Sequence, residues 1–157
     1  MKIPIVTAGV QLALRAAVAA GLSIALAQIL GLQYPIYAFI GAVIVTDLKP
    51  SESKRLGLRR LAATVVGAAA GALLSWFLPP NPWTIGMGVC VTMLVCELIH
   101  ARDGARVAGY ICGIVMLDHS AEPWAYAFFR LIETALGVSV AWAISYVPKL
   151  VRLSDPD

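Results

Sequence analysis

Residues 60–67 read Arg-Leu-Ala-Ala-Thr-Val-Val-Gly, and residues 130–137 read Arg-Leu-Ile-Glu-Thr-Ala-Leu-Gly. The shared pattern, R-L-x-x-T-x-x-G, returns after 70 positions in a chain of 157. Each copy opens a long apolar segment that stops near a proline, Pro79 or Pro148. Each is preceded by a short apolar segment ending in an aspartate, Asp47 or Asp118. The chain therefore reads as two copies of one unit. With three membrane segments per unit, an odd number, the second copy must sit upside down relative to the first. Inverted repeats of this kind are typical of transporters and channels.

Composition supports a membrane setting. Sixty per cent of residues are apolar and 13% are charged, with a mean hydropathy of +0.82; a soluble domain carries about 25% charged residues. The basic residues lie beside apolar segments, so nothing in their placement suggests a nucleic-acid surface. Cys90, Cys96 and Cys112 lie in or at the ends of apolar segments and form neither a disulfide framework nor a zinc spacing. Lys2 and the stretch that follows imitate a signal peptide, but Arg15 interrupts it, and the repeat needs a first helix to match the fourth.

Six segments are expected: Val10–Leu30, Ile36–Thr46, Leu61–Leu78, Trp83–Ile99, Val107–Leu117 and Trp124–Val147. Eighteen helical residues reach about 27 Å, close to the hydrocarbon thickness. Segments 2 and 5 reach only about 16 Å. Short segments at matching places in two halves point to a substrate or ion path. Lys2, Lys49, Lys54, Arg55, Arg59, Arg60, Arg102, Arg106, Lys149 and Arg152 all fall at one set of ends, while the loops 31–35, 79–82 and 118–123 hold no Lys or Arg. That asymmetry places both termini in the cytoplasm and the protein in the plasma (inner) membrane. Trp76, Trp83 and Trp124 fall toward the outer ends, as interfacial anchors do.

Arg130 is the leading candidate site residue. Pro123 marks the start of its segment, so it lies about 10 Å along the helix. Glu133 and Thr134 follow on the same face. Either Arg130 attracts an anion and Glu133 tunes it, or the two form an ion pair that locks packing. Arg15 is a second candidate, against snorkelling to the interface. Arg59 and Arg60, with Thr64 below, form a basic mouth or simply set topology. Asp47 and Asp118 cap helices, pair with arginines, or bind a coupling ion; pairing is the favoured role. Gly67 and Gly71, in Gly-Ala-Ala-Ala-Gly, and Gly137 in the second copy mark close-packing faces. Glu97 and His100 have an E-x-x-H spacing, but a di-iron bundle needs two such motifs and the other histidine, His119, belongs to the opposite face, so no metal site is expected. No nucleophile triad, P-loop or dinucleotide fingerprint occurs, and neither an enzyme nor a cofactor is expected.

An early arginine in the first helix, then Tyr34-Pro35-Ile36-Tyr37, then a basic loop leading into Arg60-Leu61-Ala62-Ala63-Thr64-Val65-Val66-Gly67-Ala68-Ala69-Ala70-Gly71, resembles the fusaric-acid-resistance and aromatic-acid-exporter superfamily. Plant aluminium-activated malate transporters are distantly similar. The resemblance covers residues 10–147. It implies a six-helix membrane module, dimeric assembly, and passage of organic anions along arginines, with Arg60 and Arg130 as the anion-facing residues by motif position. The larger exporters carry a cytoplasmic domain and a second six-helix module that this sequence does not contain.

The expectation is thus an all-α integral membrane protein, a single transmembrane domain over 1–157, with six transmembrane helices as an inverted three-plus-three repeat (about 10–78 and 83–147). Its expected partners are the lipid bilayer, a small organic anion and a second copy, with no nucleic acid. The expected function is to move organic anions, aromatic carboxylates among them. The alternative is a non-transporting scaffold or a subunit of a larger membrane complex.

Overall fold

The computed structural model describes residues 3–99, 102–118 and 122–147. Lys2, His100, His119, Pro148, Lys149 and Arg152 lie outside the described residues. The described residues form six α-helices and no β-strand: α1 (Ile3–Ile29), α2 (Pro35–Val45), α3 (Pro50–Phe77), α4 (Pro82–Leu98), α5 (Ala105–Asp118) and α6 (Pro123–Ser145), with a 3-10 turn over Arg102–Gly104 before α5.

Four of the six helices begin on a proline. Proline lacks the N–H that would be orphaned at a first helical position, and its φ is already helical. At α4 the start is reinforced by a capping box: the Asn81 side chain accepts from the Trp83 and Thr84 backbone N–H groups, and the Thr84 hydroxyl accepts from the Asn81 N–H. Gly31, at φ 65°, turns the chain out of α1, a conformation that glycine adopts without strain.

Three stretches are long and apolar enough to cross a bilayer: Ala8–Ile29, Pro50–Phe77 and Pro123–Ser145. As the apolar runs predict, α2 and α5 are short, 11 and 14 residues. Helix α3, however, starts eleven residues before the expected Leu61. Its first turns carry Ser51, Glu52, Lys54 and Arg55, and a Glu52–Arg55 ion pair at 2.6 Å supports them. The apolar run marks only the part of a helix that suits hydrocarbon; the polar start is equally helical. α1 likewise begins at Ile3 rather than Val10.

Many of the buried residues are small. Ala19, Ala27, Ala38, Ala42, Ala72 and Ala108 are fully or nearly fully covered, whereas Leu22, Leu26, Ile29, Leu58, Val65, Leu73 and Trp76 are exposed. Water would penalise such a surface and lipid tails would not. With fatty acyl chains outside, helix pairs gain by close approach, and small side chains permit it.

The chain divides into two compact units, residues 1–57 with 133–157, and residues 58–132. In the first, α1 packs on α2. It buries Ala19, Ser23 and Ala27 at four-residue spacing. In the second, α4 packs on α5 and buries Gly88, Thr92 and Cys96 at the same spacing. Each unit is completed by a glycine crossing. In the second, α3 lays Gly67 on the α5 backbone at Ala108, whose Cα would stand 2.8 Å from an added Cβ. In the first, α6 lays Gly137 on the α2 backbone at Ala38 and Ala42, and the Ala42 nitrogen would stand 2.9 Å from an added Cβ. Gly137 follows Gly67 by 70 positions, and Ala108 follows Ala38 by 70.

Candidate functional site

Helix α3 brings Arg60, α5 brings Tyr110, and the first half of α6 brings Arg130 and Tyr126 to one place in the second unit. The guanidinium carbon of Arg60 is 5.5 Å from the Tyr110 ring centroid, and that of Arg130 is 5.9 Å. Both distances fall within the reach of a cation–π attraction. Arg60 and Arg130 are buried, 6% and 1% exposed, while Tyr110 is 38% exposed. Arg130 Nη1 reaches the Tyr126 hydroxyl at 3.5 Å, one turn earlier on α6.

The buried Arg60 Nε makes no hydrogen bond. Among the described residues, no carboxylate lies within ion-pair distance of Arg60. Burying a cation is costly unless something negative faces it. For Arg60 the negative face that the described residues offer is the Tyr110 ring.

The other candidate residues divide by what they touch. The Thr64 hydroxyl, buried, donates to the Arg60 carbonyl at 2.9 Å, so it steadies the turn that carries the arginine. Thr134 is buried where α6 meets α2, its backbone against Gly41. Gly67 and Gly137 form the crossings described above, and Gly71 approaches α5 at Cys112 and Val115. Arg15 donates to backbone carbonyls at Leu48 (2.8 Å) and Val147 (2.7 Å), and more distantly to those of Asp47 and Ser145. Its guanidinium ties α1 to the chain after α2 and to the end of α6, where free carbonyls and the helix dipole favour a cation.

Glu133, fully buried, accepts the Tyr34 backbone N–H at 2.6 Å. Tyr34 is the N-cap residue of α2 and supplies no side-chain cap of its own. The carboxylate therefore caps a neighbouring helix and meets its positive dipole end. Asp47 takes the Lys49 N–H at 2.9 Å, and the Ser53 hydroxyl takes the Asp47 N–H at 2.9 Å. Its carboxylate is thus engaged in the turn before α3. Asp118 is the exposed last residue of α5.

The position matching Glu133 in the first copy is Ala63, and the position matching Tyr34 in the second is Gly104. These two also meet: a Cβ on Gly104 would stand 2.9 Å from the Ala63 Cβ. Where one unit has a capping carboxylate, the other has a methyl group beside a cavity of about 160 Å3, lined by Arg59, Cys96, Asp103 and Gly104 among others. Arg59 and Asp103 form an ion pair at its edge. Among the described residues no three His, Cys, Asp or Glu side chains gather as metal ligands.

Tyr110 and Tyr126 were not among the residues the sequence singles out, because an aromatic residue in an apolar helix carries no signature of its partner. Ser53, fully buried at the start of α3, was also missed. Its signal was present in the pattern Asp-x-x-Pro-Ser-x-Ser before a helix, a concentration of capping residues.

Apolar helices that cover many small residues and show large ones, with Arg15, Arg60 and Arg130 buried among them, are the helices of a membrane protein. The chain belongs to the aromatic acid exporter family: the family model described as aromatic acid exporter family member 1 matches residues 8–147. It is similar to a UPF0421 protein of Oceanobacillus iheyensis, 30% identical over 112 residues, which cover 71% of this chain and 32% of the relative. A UPF0421 protein of Staphylococcus haemolyticus is 28% identical over 115 residues, covering 72% and 35%. The chain spans about a third of the length of these curated relatives. No solved structure matches.

Proposed function

We propose that this chain is a membrane module that moves organic anions, aromatic carboxylates among them, past Arg60 and Arg130. The observation that carries this reading is the pair of buried guanidiniums at the Tyr110 ring. A fixed positive charge inside a membrane protein marks an ion or substrate route more often than a packing device. Family membership supports the same class of activity. In this reading the six helices form an inverted three-plus-three repeat, supported by the twin glycine crossings and the twin small-residue stripes. The module sits in the inner membrane with both termini cytoplasmic, as the placement of lysines and arginines favours, and works as a homodimer.

The test is flux in proteoliposomes, scanned over radiolabelled mono- and dicarboxylates, with the full chain and with Arg130→Gln. Carboxylate flux that saturates, and that Arg130→Gln abolishes in a protein that still elutes as one species, is the expected result. Absence of flux for every carboxylate in the scan would leave the scaffold reading in its place.

A further inference from the structure

We propose that Lys54, Trp142 and Tyr146 form a docking site for the phosphate of an anionic membrane lipid. All three belong to the first unit, and the site would stand whether or not the chain passes anions. It begins with a close approach of two helices. A Cβ on Gly57 of α3 would stand 2.5 Å from Val138 Cγ1 of α6 and 3.4 Å from Val45 Cγ1 of α2. Lys54 lies three residues before Gly57, and Trp142 four residues after Val138. The Lys54 ammonium stands 5.9 Å from the Trp142 ring centroid, within cation–π reach. Tyr146 meets Trp142 edge-on, with centroids 5.7 Å apart and planes at 64°. Lys54 is exposed, Trp142 is 38% exposed and Tyr146 62%.

Depth decides which anion this cation meets. Trp142 follows Pro123, the first residue of α6, by 19 positions. That is about 28 Å along the helix, close to the hydrocarbon thickness of about 30 Å. Trp and Tyr favour the level where hydrocarbon ends, with an apolar ring below and a wet N–H or O–H above. Lipid phosphates lie at that level. The charges are complementary as well. Residues 47–57 carry Lys49, Lys54 and Arg55 against Asp47 and Glu52. Glu52 pairs with Arg55 at 2.6 Å, and the Asp47 carboxylate takes the Lys49 N–H. Among the described residues no carboxylate lies within ion-pair distance of Lys54. Its ammonium has three donors, so a phosphate oxygen is bound beside the ring, and the Tyr146 hydroxyl supplies a further donor. A zwitterionic lipid carries its own cation next to the phosphate and gains less. A soluble anion lacks the acyl chains that hold a lipid at this depth.

The experiment uses the full chain in phosphatidylcholine nanodiscs with and without phosphatidylglycerol. Tryptophan is replaced by 5-fluorotryptophan, and the 19F resonance of position 142 is assigned by its loss in Trp142→Phe. Phosphatidylglycerol should shift that resonance, and inorganic phosphate added to phosphatidylcholine discs should not. Lys54→Gln should remove the shift and Lys54→Arg should keep it. As a second measurement, native mass spectrometry of the full chain in detergent compares retention of the two lipids. The parent should favour phosphatidylglycerol by about fivefold. Lys54→Gln should lose that preference. Arg106→Gln, which removes an equal charge from an exposed position of α5, should retain it.

A shift that survives Lys54→Gln overturns the inference. Equal loss of preference in Lys54→Gln and Arg106→Gln also overturns it, in favour of diffuse surface charge. A shift produced by inorganic phosphate alone assigns the site to a soluble anion instead. No shift and no preference reject it outright. If Trp142→Phe fails to fold, the comparison of Lys54→Gln with Arg106→Gln decides alone.

Discussion

Glu133 on α6 accepts the backbone N–H of Tyr34 at 2.6 Å, so one helix supplies the cap that the start of another lacks. A buried N–H deprived of its acceptor costs about 1–3 kcal/mol. Glu133→Ala should lower stability by about that amount. Glu133→Gln, which keeps an acceptor oxygen, should cost less. Thermal melting followed by fluorescence-detected size exclusion checks the ordering Glu > Gln > Ala. Equal melting of the parent and the alanine variant would show that the cap contributes nothing.

The same residue separates two roles for Arg130. Arg130→Gln is expected to remove flux while leaving a folded protein. Adding Glu133→Gln removes the carboxylate charge but restores no cation, and should leave the protein silent. Recovery of flux in the double variant would assign Arg130 to pairing with Glu133 and take it out of the anion route.

Gly67 and Gly137 should tolerate alanine equally badly. A methyl group at either position meets backbone, Ala108 in one unit and Ala38 in the other, and backbone does not give way as a flexible side chain does. Overpacking of this kind costs about 1–3 kcal/mol, occasionally more. Gly21→Ala and Gly86→Ala, where a Cβ would meet nothing within 4 Å, are the controls and should be neutral or stabilising. The yield of folded protein in detergent reports all four.

Arg15→Gln should destabilise without a specific effect on transport. It strips charge-assisted hydrogen bonds from the Leu48 and Val147 carbonyls, a loss of about 2 kcal/mol or more. Flux normalised to folded protein is expected to match the parent. A selective loss of flux at normal stability would move Arg15 into the anion path.

Topology is open to cysteine labelling in a background without Cys90, Cys96 and Cys112. Ser51→Cys, exposed in the first turn of α3, should resist an impermeant maleimide applied to intact cells, and Pro80→Cys, exposed between α3 and α4, should react. The reverse pattern would invert the orientation.

The sequence discloses the helices through apolar runs and through prolines at helix starts, since both act locally. It discloses Arg60 and Arg130 because they recur in one motif, and Gly67 and Gly137 for the same reason. It places the start of α3 eleven residues late, because a polar helical turn and a polar loop have similar compositions. Tyr110 was hidden for a different reason. Its meaning depends on α3 and α6 bringing cations to it from 50 and 20 residues away, a relation that no window of sequence contains. Arg15 illustrates the converse: a charge in an apolar segment is easily seen, but that its partners are carbonyls of distant chain is a tertiary fact.

The glycine crossings also limit how this molecule can move. Gly67 lies seven residues after Arg60, and Gly137 seven after Arg130, which is close to two full turns and about 10 Å along each axis. A helix whose backbone rests on another backbone has no layer of side chains on which to roll. Rotating α3 would swing Arg60 through an arc and drive Gly67 into Ala108 at the same time. The azimuth of each arginine is therefore keyed by its glycine. Any movement of α3 at its crossing must carry α5 with it, and any movement of α6 at its crossing must carry α2.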